Sequence, residues 1–491
     1  MFAKSFILSL PLISGALAAT AEDWRKRSIY ELVTDRFART DGSTTAACST
    51  SDRVFCGGTW QGLTNHLDYI QNMGFTAVWI SPITMQIYGN THSGEGYHGY
   101  WPKDYYSLNP NFGTADDLKT LASALHDRGM YLMVDLVVNH YASWGDEDIQ
   151  WSQYVPFNDE KYFHDKCWIN WGKQDSVENC WMGDGYVPLP DLDTENDFVS
   201  STLETYVSEL ISNYSIDGLR IDAAKNIRKD FWPGFCSAAG VYCQGEVWSN
   251  NADYVCSYQN YMDGLHNYPM HDYTLAAFRS NSGDMSALAE TLNAVTRKCA
   301  DVGLLGSFVE NHDNARMGSV TSDMSVLKSF AAMTVLSGNG MPIAYYGQEQ
   351  ILTASGDPDN REALWLTGYP TGGDKLYDYF ATLNQLRNWL VWNADEADYL
   401  TAKPSYEVAS DAHTLIASKG VMKLLASNVG SGSDPKVATS GWSAGADLVD
   451  ALTCTTLTAD SRGRATATMP DSAPVAILPT SYLAGSGICG L

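Results

Sequence analysis

Three acidic residues stand at the ends of apolar, strand-like runs: Asp222 in GLRIDAAK, Glu246 in VYCQGEVW and Asp313 closing FVENHD. Such a set can cleave a glycosidic bond. One carboxylic acid protonates the leaving oxygen while a carboxylate engages the anomeric carbon. Close approach of several carboxylates raises the pKa of one of them, which supplies the acid at neutral or mildly acidic pH. Arg220 lies two residues before Asp222, on the same side of the strand. An adjacent cation keeps a carboxylate nucleophile ionised, and a purely internal salt bridge would rest on the same physics. A single Asp at a strand end ordinarily caps the next helix or pairs with an arginine. Three acids in such contexts argue for one shared site.

The elements that would position them alternate from about residue 25 to 395. Strand candidates are Ser28–Val33, Ala77–Ser81, Tyr131–Val137, Gly218–Asp222, Val241–Glu246, Leu305–Glu310 and Pro342–Tyr346, with a weaker one near Tyr261–Asp263. Several are continuously apolar, as strands buried on both faces are. One intervening helix is clear: Thr114 caps it with Asp117 three residues on, Leu118, Leu121, Ala122 and Leu125 share a face, and Gly129 can end it. Eight such units predict an α/β fold, a (β/α)₈ TIM barrel whose strand ends bring the three carboxylates to one rim. Residues 139–197 break the rhythm as an irregular insertion after the third strand, rich in Trp, Asp, Asn, Pro and Gly. Loops of that length are usually functional, or ordered by staples or metal. From about residue 397 the pattern becomes short alternations with Gly, Ser and Thr turns, an antiparallel β-sandwich reaching residue 491. The barrel is thus expected over 19–138 and 198–396.

The chain has 491 residues and a formal net charge of −26. That charge repels phosphate backbones and anionic lipid, so nucleic acid and membrane surfaces are not expected partners. A neutral polymer suits it, and a monomer is expected. Residues 1–18 read as a secretory signal, with Lys4, an apolar Phe6–Leu12 and an Ala16-Leu17-Ala18 cleavage site. No later run is long enough to span a bilayer, and no hydrophobic tail of a lipid-anchor signal follows. Ten cysteines in a secreted chain imply disulfides, whose pairing the sequence alone leaves open. Local neighbours suggest Cys48 with Cys56, Cys167 with Cys180, Cys256 with Cys299 and Cys454 with Cys489. Cys236 and Cys243 are left to pair or stay reduced. Asn213 opens the sole N-x-S/T sequon, a candidate glycan site. Gly441-Trp442-Ser443-Ala444-Gly445 matches a nucleophile-elbow pattern, but no His follows His413 to complete a triad.

The segments DLVVNH (Asp135–His140), GLRIDAAK, GEVW (Gly245–Trp248) and FVENHD resemble the four signature strands of the alpha-amylase family of glycoside hydrolases. YHGYW (Tyr97–Trp101), LPDLDT (Leu189–Thr194) and NREALW (Asn360–Trp365) are similar to its secreted fungal members. The resemblance covers nearly the whole mature chain, including the four suggested cysteine pairs. It implies endo-hydrolysis of α-1,4-glucosidic bonds in starch, glycogen and related α-glucans, with retention of configuration. Asp222 would be the nucleophile, Glu246 the general acid and base, and Asp313 the transition-state stabiliser. Retaining enzymes hold nucleophile and acid about 5–5.5 Å apart. His98, His140 and His312 would hydrogen-bond the sugar at the cleavage point. Tyr100 would be the stacking platform with Trp101 beside it, Asp357 and Arg361 would bind glucose, and Lys225 would touch the leaving-group side. Calcium is implied as well, on Asn139, Asp191 and the backbone carbonyls of Glu178 and Asn226, hard oxygen ligands that this ion prefers. Asn226 departs from the family's His, and Trp248 from its usual aliphatic residue, where leaving-group sugars bind. Cys236 is a third departure. Two competing readings remain: a transglycosylase or maltose-releasing enzyme on the same scaffold, and a non-catalytic sugar-binding relative. The latter typically lose a catalytic carboxylate or carry a membrane anchor, whereas here all three acids are kept.

Overall fold

The apolar runs form strands buried along their whole length, because helices cover them outside and side chains fill the barrel inside. The computed structural model describes residues 19–491 except 148 and 394–398, so the expected signal at 1–18 lies outside the described residues. The barrel strands are β1 (Ile29–Leu32), β2 (Ala77–Ile80), β3 (Tyr131–Leu136), β4 (Gly218–Ile221), β5 (Tyr242–Gly245), β6 (Gly264–Leu265), β7 (Gly306–Ser307) and β8 (Met341–Tyr345). They lie in the order β6-β5-β4-β3-β2-β1-β8-β7, and every neighbouring pair is parallel. A parallel bridge between His266 and Gly306 joins the two ends. This is the expected (β/α)₈ TIM barrel.

Period-two alternation decides which side chains enter the lumen. Ile29, Ala77, Met133, Tyr242 and Ile343 pack together inside, while Leu32, Val78, Leu132, Leu219 and Cys243 join the core under the helices. One step nearer the mouth, the inward set turns polar: Glu31, Asp135, Arg220 and Gln244 are all buried.

The sixth strand lies at Gly264–Leu265 and not at Tyr261–Asp263. Residues 258–260 form a helical turn instead. A Cβ at position 264 would lie 1.9 Å from Tyr242 Oη and 2.2 Å from the Leu304 carbonyl, so only glycine fits there. A two-residue strand starting on glycine carries no apolar periodicity to find. The Leu305–Glu310 run likewise pairs only at Gly306–Ser307.

The predicted helix spans Ala115–His126, with Thr114 and Asp117 forming a reciprocal capping box and Leu118, Leu121, Ala122 and Leu125 buried. Between β3 and the helix Asp197–Tyr214 the described residues are irregular, with a short α-helix at Gln174–Asn179, 3₁₀ turns at Trp151–Gln153 and Glu160–Tyr162, and a two-residue strand pair. It adheres to the barrel through hydrogen bonds such as Ala142 N–H to the Pro102 carbonyl and Tyr105 N–H to the Val155 carbonyl.

Beyond the last barrel helix, Tyr377–Trp392, a six-stranded sheet and a two-stranded one, each antiparallel, enclose Ile416, Leu425, Val437, Leu448, Ala467 and Ile477. The Gly441–Gly445 segment links two strands of this region with no helix after it, so it is not a nucleophile elbow. All four suggested disulfides are formed, and Cys236 and Cys243 are unpaired. Among the described residues, no helix is long and apolar enough to cross a membrane.

Candidate active site

Arg220 is the hub of the rim. It is fully buried, with Nη1 2.9 Å from Asp135 Oδ1 and 2.8 Å from Asp222 Oδ1, and Nη2 3.2 Å from Glu246 Oε1. The strand register explains this: β4 pairs Arg220 with Asp135 on β3 and with Gln244 on β5, so its side chain points inward between them. Ala223, directly after Asp222, adopts a left-handed backbone at φ 50°. That costs a non-glycine residue about 1 kcal/mol. The turn aims its N–H at Glu246 Oε2, 3.0 Å away. The Tyr268 hydroxyl donates to Glu246 Oε1 at 3.1 Å. Two of the three acids therefore share one guanidinium.

Burial pushes the Asp222 carboxyl up to about 8; the Arg220 cation opposes this, and the charges of Glu246 and Asp135 add to it. The raised carboxyl is thus the residue expected as nucleophile. Sequence reasoning expected a raised acid but could not weigh the burial of each group, which decides where the proton rests in the free cleft.

The third acid is ionised. Burial alone would raise Asp313, but the His312 cation, with Arg361 and Arg220, holds it well below the usual carboxylate range. His312 Nε2 lies 3.2 Å from Asp313 Oδ2 and Nδ1 2.7 Å from Glu31 Oε1. Although burial opposes its charge, these anions bring His312 up to about 10. Arg361 places Nη2 3.3 Å from Asp313 Oδ1 and Nη1 3.0 Å from Asp357 Oδ1, while its Nε donates to the His312 carbonyl. The Asn311 side chain accepts from the Asp313 N–H and closes the turn that presents this acid.

Tyr100 donates its hydroxyl to Asp135 Oδ2 at 2.7 Å, lies 2.8 Å from His312 Nε2, and stacks on the His312 ring at 5.1 Å. Gly99 makes its approach possible, with φ at +94° and no room for a Cβ, which would lie 2.7 Å from Pro82 Cδ. The His98 ring lies nearly parallel to Tyr100 at 5.6 Å, and His140 Nε2 meets the Tyr100 carbonyl at 3.1 Å. Burial keeps both histidines neutral, with His140 pushed down to about 4.

These groups line one cleft of about 650 Å³. It brings together Asp222, Glu246 and Asp313 with His98, Tyr100, Trp101, His140, Lys225, Asn226, His312, Asp357 and Arg361. Arg220 lies beneath its floor. Sequence reasoning missed two residues that build the floor. Glu31 and Asp135 hold His312, Arg220 and Tyr100 in place. A charge inside a run buried on both faces must be paired, and that signal was readable. It also missed Trp171, which lines the cleft 61% exposed, facing the half-exposed Trp248 across Lys225. Lys225 Nζ sits 4.8 Å from the Trp171 ring and donates to the Trp248 carbonyl, and Trp248 stacks on Tyr268 at 5.2 Å.

The expected calcium ligands fall into two pairs of neighbours, Asn139 with Asp191 and Asn226 with the Val177–Glu178 backbone. Asn139 and Asp191 are drawn together by the His140–Asp191 bridge and by the Leu192 N–H bonded to the Asn139 carbonyl. Asn226 donates its amide to the carbonyl of Val177, beside Glu178. The Asn139 Oδ1 and Asp191 Oδ1 atoms are buried with no hydrogen-bond partner. Orphaned hard oxygens are costly unless a cation uses them, so the donor set fits calcium. His164, Asp193 and Glu195 also bring ligand atoms within 4.8 Å of one another. That group includes a nitrogen donor and an acid already paired with Arg228, which suits calcium less well.

Comparison with known proteins agrees with this geometry. The family model described as "Alpha amylase, catalytic domain" matches residues 31–423, and "Alpha-amylase, domain C" matches 407–491. "Alpha-amylase 2" of Schwanniomyces occidentalis is 48% identical over 498 aligned residues, covering 99% of this chain and 97% of the relative. The "Alpha-amylase" of Saccharomycopsis fibuligera is 49% identical, covering 90% of this chain and 89% of the relative. The solved alpha-amylase from Malbranchea cinnamomea superposes with a TM-score of 0.92 at 45% identity, covering 96% of this chain and all of that one. The chain therefore belongs to the alpha-amylase family of glycoside hydrolases.

Proposed function

We propose that Asp222, Glu246 and Asp313 carry the endo-hydrolysis of α-1,4-glucosidic bonds typical of this family, by a retaining double displacement. The observation that supports this is the Arg220 guanidinium, which contacts Asp222 and Glu246 together. In the first step Asp222 attacks the anomeric carbon while Glu246 protonates the departing glycosidic oxygen. In the second, Glu246 takes a proton from water, which displaces Asp222 and restores the starting configuration. Asp313, ionised beside His312 and Arg361, accepts hydrogen bonds from ring hydroxyls and stabilises the positive charge that develops on the sugar. Tyr100 supplies the stacking face. His98 and His140, neutral by burial, and Arg361 with Asp357 bind further hydroxyls.

Burial, with the charges of Glu246 and Asp135, raises the Asp222 carboxyl to about 8, so the coupled carboxylates of the cleft retain a proton at neutral pH. The working enzyme needs that proton on Glu246, with Asp222 ionised against Arg220 Nη1. Raising the pH through 8 removes it, so kcat/KM should fall about tenfold per pH unit on the basic side. A profile on maltoheptaose that stays flat to about pH 10 would contradict this assignment. Product lengths in the same assay test the endo reading: internal cleavage gives a spread of oligosaccharides from the first minutes. Release of maltose alone, or of chains longer than the substrate, would favour the maltose-releasing or transferring alternative. The exposed faces of Trp171 and Trp248 are what favours some transfer, since they offer an acceptor sugar a place to stack.

Calcium on Asn139, Asp191 and the carbonyls of Glu178 and Asn226 would tie the irregular segment 139–197 to the barrel, as a calcium-binding subdomain between barrel segments 19–138 and 198–396. An ion that binds only the folded state adds about 4 kcal/mol at a thousandfold excess over its Kd. Chelation with EGTA should therefore lower Tm, and Asp191→Ala should abolish the difference between calcium and chelator. Equal melting of the unsubstituted protein in both conditions would refute the site. Four disulfides support an extracellular location, and Asn213 is exposed near the end of its helix, as a glycan acceptor must be. We read the protein as a secreted monomer.

A further inference from the structure

Ten cysteines form four disulfides, which leaves Cys236 and Cys243 as the only thiols of the chain. The glycosidic chemistry uses neither. Trp232, Phe235, Cys236 and Ala239 stand at i, i+3, i+4 and i+7 of the helix Trp232–Ala239, one stripe that packs on the barrel. Gly240, at φ 66°, caps this helix, its N–H donating to the Cys236 carbonyl at 3.1 Å. The chain then enters β5 directly. Tyr242 faces the lumen, so Cys243 faces outward under the same helix. One helix–turn–strand unit therefore carries a thiol on each of its two arms, and the two side chains meet between them.

The two thiols differ in access. Cys236 is partly exposed and lines a cavity of about 500 Å³ together with Pro233, Gly240, Met262 and Asp263. Cys243 is fully buried behind it and does not reach that cavity. Burial, the Cys236 thiol and the Asp263 charge push the Cys243 thiol up, so it is a poor first nucleophile. Its backbone is pinned, because its N–H donates to Asp263 Oδ2 at 2.9 Å. The Cys243 sulfur is thus held in place beside Cys236, while Cys236 alone is open to a reagent from solvent. An accessible attacking thiol with a resolving thiol next to it is the arrangement that thiol–disulfide exchange needs.

We propose that Cys236 and Cys243 are a dithiol that a small disulfide oxidant, such as oxidised glutathione, closes to a fifth disulfide, bracing the strand that leads to Glu246. The Cys236 thiolate attacks one sulfur of the oxidant, expels a first thiolate and leaves a mixed disulfide. Cys243 then loses its proton and attacks the Cys236 sulfur, displacing the second thiolate. Each expelled thiolate takes up one of the two protons. Two protein S–H bonds and the oxidant's S–S bond are exchanged for one protein S–S bond and two small thiols, and two electrons pass to the oxidant. An oxidising compartment, which the other four disulfides imply, supplies reagents of this class. Because the bridge spans a short stretch of chain, it should raise Tm by about 3 °C.

The test exposes the full chain, without denaturant, to oxidised glutathione, then denatures it and alkylates it with iodoacetamide. Intact mass should show no alkylation and no retained glutathione, at two hydrogens below the dithiol form. A chain that carries no thiol even before this treatment is the closed form already. Cys236→Ser and Cys236→Ala should each show one alkylated cysteine, Cys243, and melt about 3 °C below the oxidised parent. Neither should change maltotetraose turnover. Two alkylated cysteines in the treated parent would overturn the proposal, and so would a glutathione left on Cys236. A parent that closes the bridge yet melts with both variants would overturn the bracing role. The thiol count is read on the unsubstituted protein, so it holds whether or not a variant folds.

Discussion

Glu246→Gln should lower kcat on maltoheptaose about ten-thousand-fold. The amide keeps the shape of the acid and can still accept from Ala223 N–H and meet the Tyr268 hydroxyl. It cannot deliver a proton to the leaving oxygen or take one from water. Its one poor contact is with Arg220 Nη2, where two donors would face each other at the present 3.2 Å. That costs about 1 kcal/mol, so Tm should fall by no more than about 4 °C. Steady-state rates and a thermal melt on the same preparation check both halves. Near-normal turnover would remove Glu246 from the chemistry. A collapse of Tm alongside the rate would instead give it a structural role.

Arg220→Leu should cost both activity and stability. The side chain is wholly buried and contacts Asp135, Asp222 and Glu246. Removing one partner of a buried ionic cluster destabilises by about 3–5 kcal/mol, because the remaining charges are left without compensation. The pH dependence follows in sign. Without the cation, burial and mutual repulsion raise the folded-state carboxyl pKa values further. Groups with raised folded values favour the fold at low pH and withdraw that support as the pH climbs through them. The stability gap between variant and parent should therefore be small near about pH 3, below the unfolded carboxyl values, and widen towards pH 8 and above. Denaturant melts across that range measure it, and a gap independent of pH would show that packing, not charge, is what Arg220 contributes. Turnover at neutral pH should drop about a thousandfold, since no group then favours the ionised nucleophile.

Much of this site was legible because it lies on short segments at strand ends, where a polar residue interrupts an apolar run. Asp222, Glu246 and Asp313 carried that signal, as did the histidines in their motifs, and the cleft brings them together. Glu31 and Asp135 carried it too, but as inward positions below the rim their role as supports depends on register, which pairs Asp135 with Arg220. Trp171 was beyond reach because the 139–197 segment has no periodicity from which to tell where a side chain points. The sixth strand was misplaced because its pairing residue, Gly264, is chosen by crowding against Tyr242 and Leu304 rather than by any strand propensity of its own. Which acid keeps a proton was likewise a matter of burial, which sequence does not record.

The account stands on Asp222 attacking sugar at the place where Glu246 and Asp313 also meet it. A slow mechanism-based substrate, 5-fluoro-α-glucosyl fluoride, would form the glucosyl ester and leave it long enough to map by mass spectrometry of proteolytic peptides. The label should sit on Asp222, persist longer in Glu246→Gln because its release needs the general base whereas fluoride departs without protonation, and be released from the unsubstituted enzyme on addition of an acceptor sugar. A label on any other carboxylate, or full turnover by an Asp222→Asn protein, would contradict the mechanism.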